Sequence, residues 1–197
     1  MKKLTSILIL FIVYSDFAML TNAQITSEGP SAQFLFSDFT DCKILMKNGQ
    51  TQSLKLNFNI SIADNSVKLL TNLTYLNLEG DRVITYNSLK ELPNLTSLNL
   101  SGNDIIMDND IKQLTNLTSL VLESNEIITD NGIKGLTNLT FLNLDNNGSI
   151  TNDGIKGLIN LTTIILYFNE IITNDILDYL CVYHLKEIKR HDWNIIT

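Results

Sequence analysis

The chain has 197 residues, of which 44% are hydrophobic and 18% charged, and its formal net charge is −7. This length suits one domain with a core of its own. Two prolines and nine glycines exclude a disordered or low-complexity chain. The acidic balance argues against nucleic acid or anionic lipid as a partner, because the electrostatic attraction to phosphate has the wrong sign.

The first 23 residues have the features of a secretory signal peptide. Lys2 and Lys3 precede an apolar run at residues 4–14, and residues 21–23, Thr-Asn-Ala, supply small side chains at a cleavage site. A transmembrane anchor is the alternative, but Asp16 interrupts the apolar stretch well before the ~20 residues that a span needs. We therefore predict cleavage near Ala23 and a secreted protein, extracellular or periplasmic, without a stable membrane anchor. Cleavage leaves 12 basic and 20 acidic side chains, a net charge near −8.

Residues 24–47 carry scattered bulky apolar side chains and match no repeat. We interpret them as an irregular N-terminal cap for the repeats that follow, with a strand near 42–46, since an open stack of repeats exposes an apolar end.

From residue 48 onward the chain repeats with a period of 22 residues. A degenerate unit begins at Asn48, and a partial unit follows Leu180 after a slip of two residues. Positions 7 and 9 of each unit are apolar, which predicts a short strand with both side chains on one face. One unit cannot bury its own apolar side chains, so stacked units must share a core. The five full units begin at Leu70, Leu92, Leu114, Leu136 and Leu158.

Two polar features recur in the same register. Position 12 is Asn in every unit but one, where Asp81 replaces it. A carboxamide both donates and accepts, so we predict a ladder of Asn side chains that satisfies backbone groups where the strands end, with a weaker rung at Asp81. Positions 17–19 hold Asp, Asn and Gly, which favours turns and N-caps of a single helical turn. The ladder residues are Asn59, Asn103, Asn125, Asn147 and Asn169.

The consensus L-x-x-L-x-x-L-x-L-x-x-N, seen for example from Leu92 to Asn103, resembles the leucine-rich repeat family, in its short 22-residue internalin-like class. The resemblance covers residues 48–179. It implies an α/β solenoid, a curved right-handed horseshoe with a parallel concave sheet and short 3-10 or single-turn helices on the convex side. It also implies a protein-interaction surface, with neither enzymatic activity nor a cofactor.

Residues 180–197 are predicted to form a C-terminal partial repeat or cap, in which Val182, Leu185, Ile188 and Trp193 cover the end of the core.

The two cysteines, Cys42 and Cys181, lie at opposite ends of about six coils. At ~4.8 Å per coil, on the order of 25–30 Å separates them, whereas a disulfide needs Cα atoms within ~7 Å. We predict two free thiols, buried or half-buried, with intermolecular pairing as the alternative.

Positions 6, 8 and 10 point away from the core, and the scaffold does not dictate their identity. They combine an acidic margin with an apolar cluster, and aromatic side chains flanked by polar groups are typical of protein-binding patches. A solvated sheet without a ligand is the alternative. The predicted partner-contacting residues are Tyr75, Asn77, Glu79, Asn99, Val121, Glu123, Phe141, Asn143, Asp145, Ile165 and Tyr167.

The function predicted from these features is that of a secreted, monomeric, non-enzymatic module that binds a protein. A glycan or surface-polymer binder using the same face and a structural repeat protein without a defined ligand are the alternatives. Catalysis is disfavoured because the two histidines, His184 and His191, both lie in the tail. With Cys181 and Asp192 they match no zinc spacing. The stretch DNNGS at 145–149 resembles a calcium loop but lacks its closing Glu.

Eight N-x-[ST] sequences are potential glycosylation sites. Five of them recur at position 3, so the repeat alone accounts for them. The eight asparagines are Asn59, Asn72, Asn94, Asn99, Asn116, Asn138, Asn147 and Asn160.

Overall fold

The computed structural model describes the strand backbones at 23–25, 33–36, 42–47 and 50–56, residue 67, and residues 70–82, 84 and 86–190. The predicted signal peptide up to residue 22 lies outside this part of the chain. The described strands form one sheet in sequence order. They are β1 Ala23–Ile25, β2 Gln33–Phe36, β3 Cys42–Lys47, β4 Gln50–Leu56, β5 Tyr75–Asn77, β6 Ser97–Asn99, β7 Ser119–Val121, β8 Phe141–Asn143, β9 Thr163–Ile165 and β10 Glu187–Lys189.

The sheet changes from antiparallel to parallel at β4. Strands β1 to β4 pair antiparallel in succession, and β3 covers the strand predicted near 42–46. From β4 to β10 every pairing is parallel. Paired residues are 22 apart, as in Tyr75 and Ser97, until β10, where Glu187 pairs with Thr163. The predicted two-residue slip is therefore confirmed.

A short helix lies on the convex side of each described coil, and its cap precedes the predicted position. Thr129 and Thr151, at position 16, accept N–H groups from Asn131 and Asp153. The N-cap is thus one residue before the 17–19 segment that the sequence indicates. The last helix is longer because its coil has two extra residues. The helices are α1 Tyr86–Leu89, α2 Asp108–Ile111, α3 Asp130–Ile133, α4 Asn152–Ile155 and α5 Asn174–Cys181.

The core consists of the apolar columns that the repeat predicts. In the described full units, every side chain at positions 4, 7, 9, 15 and 20 is at most 1% exposed. Burying one Leu or Ile side chain stabilises the fold by roughly 1.5–3 kcal/mol. The columns form one continuous cluster, against which the half-buried Leu70 and Leu114 pack from position 1.

The C-terminal end agrees with the predicted cap in part. Leu185 is buried, and Ile188 packs half-buried against the core. Val182 is 80% exposed, so its predicted capping role is wrong. The stripe that α5 buries runs through Ile176, Leu177 and Leu180, and Val182, the C-cap residue, lies off it. The predicted contribution of Trp193 falls outside the described residues.

The thiol of Cys181 is free and exposed, which contradicts its predicted burial. It follows Leu180 on α5 and therefore points away from the buried stripe. Partial desolvation, and secondly the carboxylate of Asp178, raise the pKa of this thiol. The side chain of Cys42 is not among those described.

Buried asparagines at position 12 tie each coil to the preceding one. The Nδ2 of Asn125 donates to two carbonyl oxygens of that coil, both at 2.9 Å. Its Oδ1 accepts the N–H groups of Ile127 and Ile128 at 3.1 and 3.0 Å. This confirms the asparagine ladder, whereas the weaker rung at Asp81 stays a prediction, because Asn59 lies outside the described residues. Equivalent bonds recur at Asn103, Asn147 and Asn169.

The Asn-Leu-Thr segments at positions 3–5 form a second, exposed set of bonds between coils. Asn116 donates from Nδ2 to the Pro93 carbonyl at 3.0 Å, and Thr118 donates from Oγ1 to the Thr96 carbonyl at 3.2 Å. The same Asn bond recurs in three other coils. These side chains therefore serve the stacking of the repeats, which accounts for their recurrence as N-x-T sequences.

A third set of contacts between coils lies on the convex side, where an Asp binds a Thr and packs closely against a Gly. The carboxylate of Asp130 accepts the Thr151 N–H at 2.7 Å and the Thr151 hydroxyl at 2.6 Å. A Cβ on Gly154 would lie only 2.9 Å from Cγ and 3.2 Å from Cα of Asp130. Asp108 and Gly132 repeat the arrangement one coil earlier. The Asp at position 17 therefore requires a Gly at position 19 of the next coil.

Candidate functional site

The candidate site is the concave face, defined as the side chains at positions 6, 8 and 10. In β6 to β9 the middle residue of each strand is buried and its two neighbours are half-buried. This alternation brings Phe141, Val121 and Ile165 to one side of the sheet, as the period-two pattern predicts. Tyr75 lies on the same side, three strands before Phe141.

The asparagines at position 8 are less available than the sequence suggests. Asn77 is only 2% exposed, so little of its side chain is accessible to a partner. Its Oδ1 accepts the N–H of Glu79 at 2.8 Å, which holds the side chain against its own backbone. Asn99 and Asn143 are half-buried and accept the N–H two residues later in the same way. Their carboxamides therefore bind the backbone just beyond the ends of their strands.

The apolar side chains form an interrupted cluster. Asn143 pairs with Val121 on one side and with Ile165 on the other. At ~4.8 Å between strands, the two aliphatic residues are about 10 Å apart, with a fixed carboxamide between them. Phe141 lies two residues earlier in the same strand as Asn143. The surface is therefore mixed, offering apolar contacts around a polar centre.

Carboxylates follow the strands at position 10. Glu79, Glu123 and Asp145 lie two residues beyond their strands, and Glu123 is exposed. The ion pairs in the described part of the chain are Arg82 with Asp104 and Lys189 with Glu187. Neither pair involves a position-10 carboxylate, so these groups give the margin of the concave face a negative charge.

Sequence reasoning missed Phe168, at position 11. This residue is 72% exposed and has a φ of +52°. The other described coils place Gly80, Gly102, Ser124 or Asn146 in this left-handed conformation. The signal was present in the sequence, since Phe168 follows four full units that place Gly, Ser or Asn at this position. The column was overlooked because position 11 belongs neither to the core nor to the strand.

Other features of the described residues lie elsewhere. A cavity of about 160 Å³ opens between the coils that begin at Leu92 and Leu114, away from the concave face. The described residues contain no group of three or more His, Cys, Asp or Glu arranged to hold a metal ion. Asn147, in the loop that resembles a calcium site, uses its carboxamide in the ladder. The search of the same residues finds no helix that is long and apolar enough to cross a membrane.

Comparison with known proteins gives consistent matches. A family model described as leucine-rich repeat matches residues 91–112, 113–136 and 135–159. Internalin C2 from Listeria monocytogenes is 28% identical, with a TM-score of 0.54 over 73% of this chain and 65% of that one. The chain thus spans less than two thirds of that protein's length. No curated protein matches the sequence.

Two further solved structures share the fold. One is the Rad7 and Elc1 complex of yeast, which is 20% identical over 69% of this chain and 41% of the matched chain, with a TM-score of 0.53. The other is the Toll–Spatzle complex of Drosophila, at 22% identity over 66% of this chain and 18% of the matched chain, with a TM-score of 0.52. The consecutive matched repeats, the parallel strands in 22-residue register and the asparagine ladder together identify the chain as a leucine-rich-repeat protein.

Proposed function

We propose that this protein is an exported, non-enzymatic binding module that recognises a protein partner through its concave face. One observation carries the proposal. Phe141, Val121 and Ile165 are half-exposed apolar side chains on a sheet face whose core and ladder make no use of them. Leucine-rich-repeat solenoids are typically protein-binding scaffolds, since stacked repeats create extended concave surfaces. Export rests on the signal-peptide features of residues 1–23.

The mixed character of the face favours a protein over a glycan. Apolar and aromatic anchors surrounded by polar groups supply most of the affinity in protein interfaces. Asn99 and Asn143 use Oδ1 within the scaffold, which reduces the acceptors left for sugar hydroxyls. Tyr75 is three strands from Phe141, about 14 Å at ~4.8 Å per strand, so the two rings cannot sandwich one sugar.

The proposal is tested by affinity capture with the exported protein, followed by quantitative comparison of variants. Ile165→Ala and Phe141→Ala are each expected to weaken the captured partner's binding by about tenfold, because a buried anchor contributes on the order of 1–2 kcal/mol. Ile159→Ala is the matched control, since Ile159 is 41% exposed but lies off the concave face. Equal retention by all three variants would refute a concave binding site. Retention of glycans alone on an array would favour the glycan alternative.

The remaining parts of the proposal have direct tests. N-terminal sequencing of the exported protein is expected to find a start near Gln24, and light scattering is expected to give the mass of a monomer. A retained N-terminus or a dimer mass would contradict the corresponding part without affecting the concave site.

A further inference from the structure

Asn143 carries a hydrogen-bond donor that the fold does not use, at the centre of the apolar cluster on the concave face. Its Oδ1 accepts the N–H of Asp145 at 2.9 Å, which fixes the orientation of the carboxamide. Its Nδ2 donates to none of the described residues. The ladder residue Asn147 differs, because its Nδ2 donates to two carbonyl oxygens. The scaffold therefore engages the acceptor of Asn143 and leaves the donor to a ligand.

Apolar side chains flank this donor on both sides. Asn143 pairs with Val121 in the preceding strand and with Ile165 in the following one, and all three residues are half-buried. In the free protein a half-exposed donor binds water, but a partner that covers the two aliphatic side chains removes that water. A donor that is buried without an acceptor weakens binding. The partner must therefore supply an acceptor between two apolar contacts about 10 Å apart.

Two carboxylates restrict the chemistry of that acceptor. Glu123 and Asp145 lie two residues beyond β7 and β8, which is about 7 Å further along an extended chain. Neither takes part in an ion pair within the described part of the chain. The sequence places no Lys or Arg in β7 to β9 or in the two residues that follow each strand. An anionic acceptor is repelled here, whereas a neutral oxygen accompanied by basic side chains is attracted.

We infer that the concave face docks a basic segment of the protein partner, which places a neutral acceptor opposite Asn143 and apolar side chains on Val121 and Ile165. This inference rests on the proposed function and specifies its partner. The acceptor is a backbone carbonyl, carboxamide or hydroxyl oxygen, and adjacent Lys or Arg side chains pair with Glu123 and Asp145. Asn143 is then the residue that determines specificity, since it favours partners with this acceptor over a wholly apolar surface.

The test begins with selection from a displayed library of random 16-residue peptides on the exported protein in low salt. Enriched peptides are expected to carry a net positive charge and to bind more weakly as salt is raised. Their affinity is measured by fluorescence anisotropy, and thermal melts establish that each variant is folded at the assay temperature. No enrichment, or enrichment of acidic or uncharged peptides, would overturn the inference.

Replacement of Asn143 by valine tests the donor. Neighbouring strands carry Val121 and Ile165 at the same position, so the sheet accommodates a β-branched side chain there. Asn143→Val is expected to weaken the selected peptides at least tenfold, because their acceptor is then buried without a partner. Asn138→Val is the matched control off the concave face, where the carboxamide also makes one hydrogen bond, and affinity should stay within twofold. Unchanged or tighter binding by Asn143→Val would contradict the inferred acceptor.

A double variant tests the charge. Glu123→Gln with Asp145→Asn is expected to weaken the peptides at least tenfold in low salt and to flatten the salt dependence. Glu91→Gln with Asp153→Asn removes the same two charges from exposed positions off the concave face and is expected to have little effect. An equal loss in both double variants would indicate attraction by net charge alone and would refute the inferred docking.

Phe141→Ala distinguishes failure of this inference from failure of the proposed function. Peptides that depend on Phe141 but on neither Asn143 nor the two carboxylates would overturn the inference and leave the concave-face function standing. Peptides that depend on none of these residues would overturn both.

Discussion

Replacement of Gly154 by alanine tests the coupling between coils on the convex side. Gly154 packs against Asp130, and Asp130 accepts hydrogen bonds from both the N–H and the hydroxyl of Thr151. A methyl group at position 154 would overlap the Asp130 carboxylate. The carboxylate must then rotate away, and both hydrogen bonds to Thr151 are lost.

The expected cost follows from these contacts. Two hydrogen bonds at a partly exposed site contribute about 2 kcal/mol together, and alanine recovers about 0.5–1 kcal/mol of helix propensity over glycine. The net loss is about 1–1.5 kcal/mol. For a chain of this size that corresponds to a melting temperature lower by roughly 2–6 °C.

Thermal and urea unfolding followed by far-UV circular dichroism provide the measurement. Gly135→Ala is the matched control, because a Cβ there meets nothing within 4 Å, and it is expected to leave stability unchanged or slightly raised. In an Asp130→Ala background most of the Gly154→Ala penalty should disappear. If Gly154→Ala is as harmless as Gly135→Ala, the proposed Asp–Gly coupling is incorrect.

Two further predictions concern the ladder and the thiol. Asn125→Ala removes three buried hydrogen bonds and one part-buried one and is expected to lower the free energy of unfolding by about 3–5 kcal/mol, because backbone groups are left buried without partners. Asn138→Ala, which removes one exposed bond, is expected to cost about 0.5–1 kcal/mol in the same urea titration. The raised pKa of Cys181 predicts slower iodoacetamide alkylation near neutral pH than for an unstructured cysteine peptide, and Asp178→Asn should accelerate it.

These predictions have clear contrary outcomes. Equal destabilisation by Asn125→Ala and Asn138→Ala would contradict the distinction between the buried and the exposed ladder. The alkylation assay uses a Cys42→Ser background so that one thiol reacts. A rate that is unaffected by Asp178→Asn would show that its carboxylate does not influence the thiol.

Most of the scaffold was predictable because each coil repeats the same chemistry. Leu120 and Leu122 alternate with outward residues, and Asn125 follows at a fixed offset, so strand, core and ladder are all visible in one 22-residue unit. The Asp130–Gly154 contact was not predictable in this way. It joins residues in different coils whose proximity depends on how closely the coils stack.

The candidate site was predictable only in part. The sequence places position 8 on the strand. It does not show that the Oδ1 of Asn99 and of Asn143 accepts the backbone N–H two residues later, which makes these carboxamides less available to a partner. Phe168 was missed because the feature that distinguishes it is a backbone angle. Val182 was misplaced because the eight-residue length of α5 rotates it away from the core.

The constant offset of the bonds between coils has a consequence for how such a chain grows. The side-chain bonds between coils join residues 21 to 25 apart, so duplication of one 22-residue unit gives each donor and acceptor an equivalent new partner. A gene encoding this protein can therefore lengthen by whole repeats without a change of fold, and each added repeat widens the concave face by one row of side chains. The final coil is the exception. Its strand residue Glu187 pairs with Thr163 at an offset of 24. A copy of this coil inside the stack would therefore not match the 22-residue spacing of its neighbours.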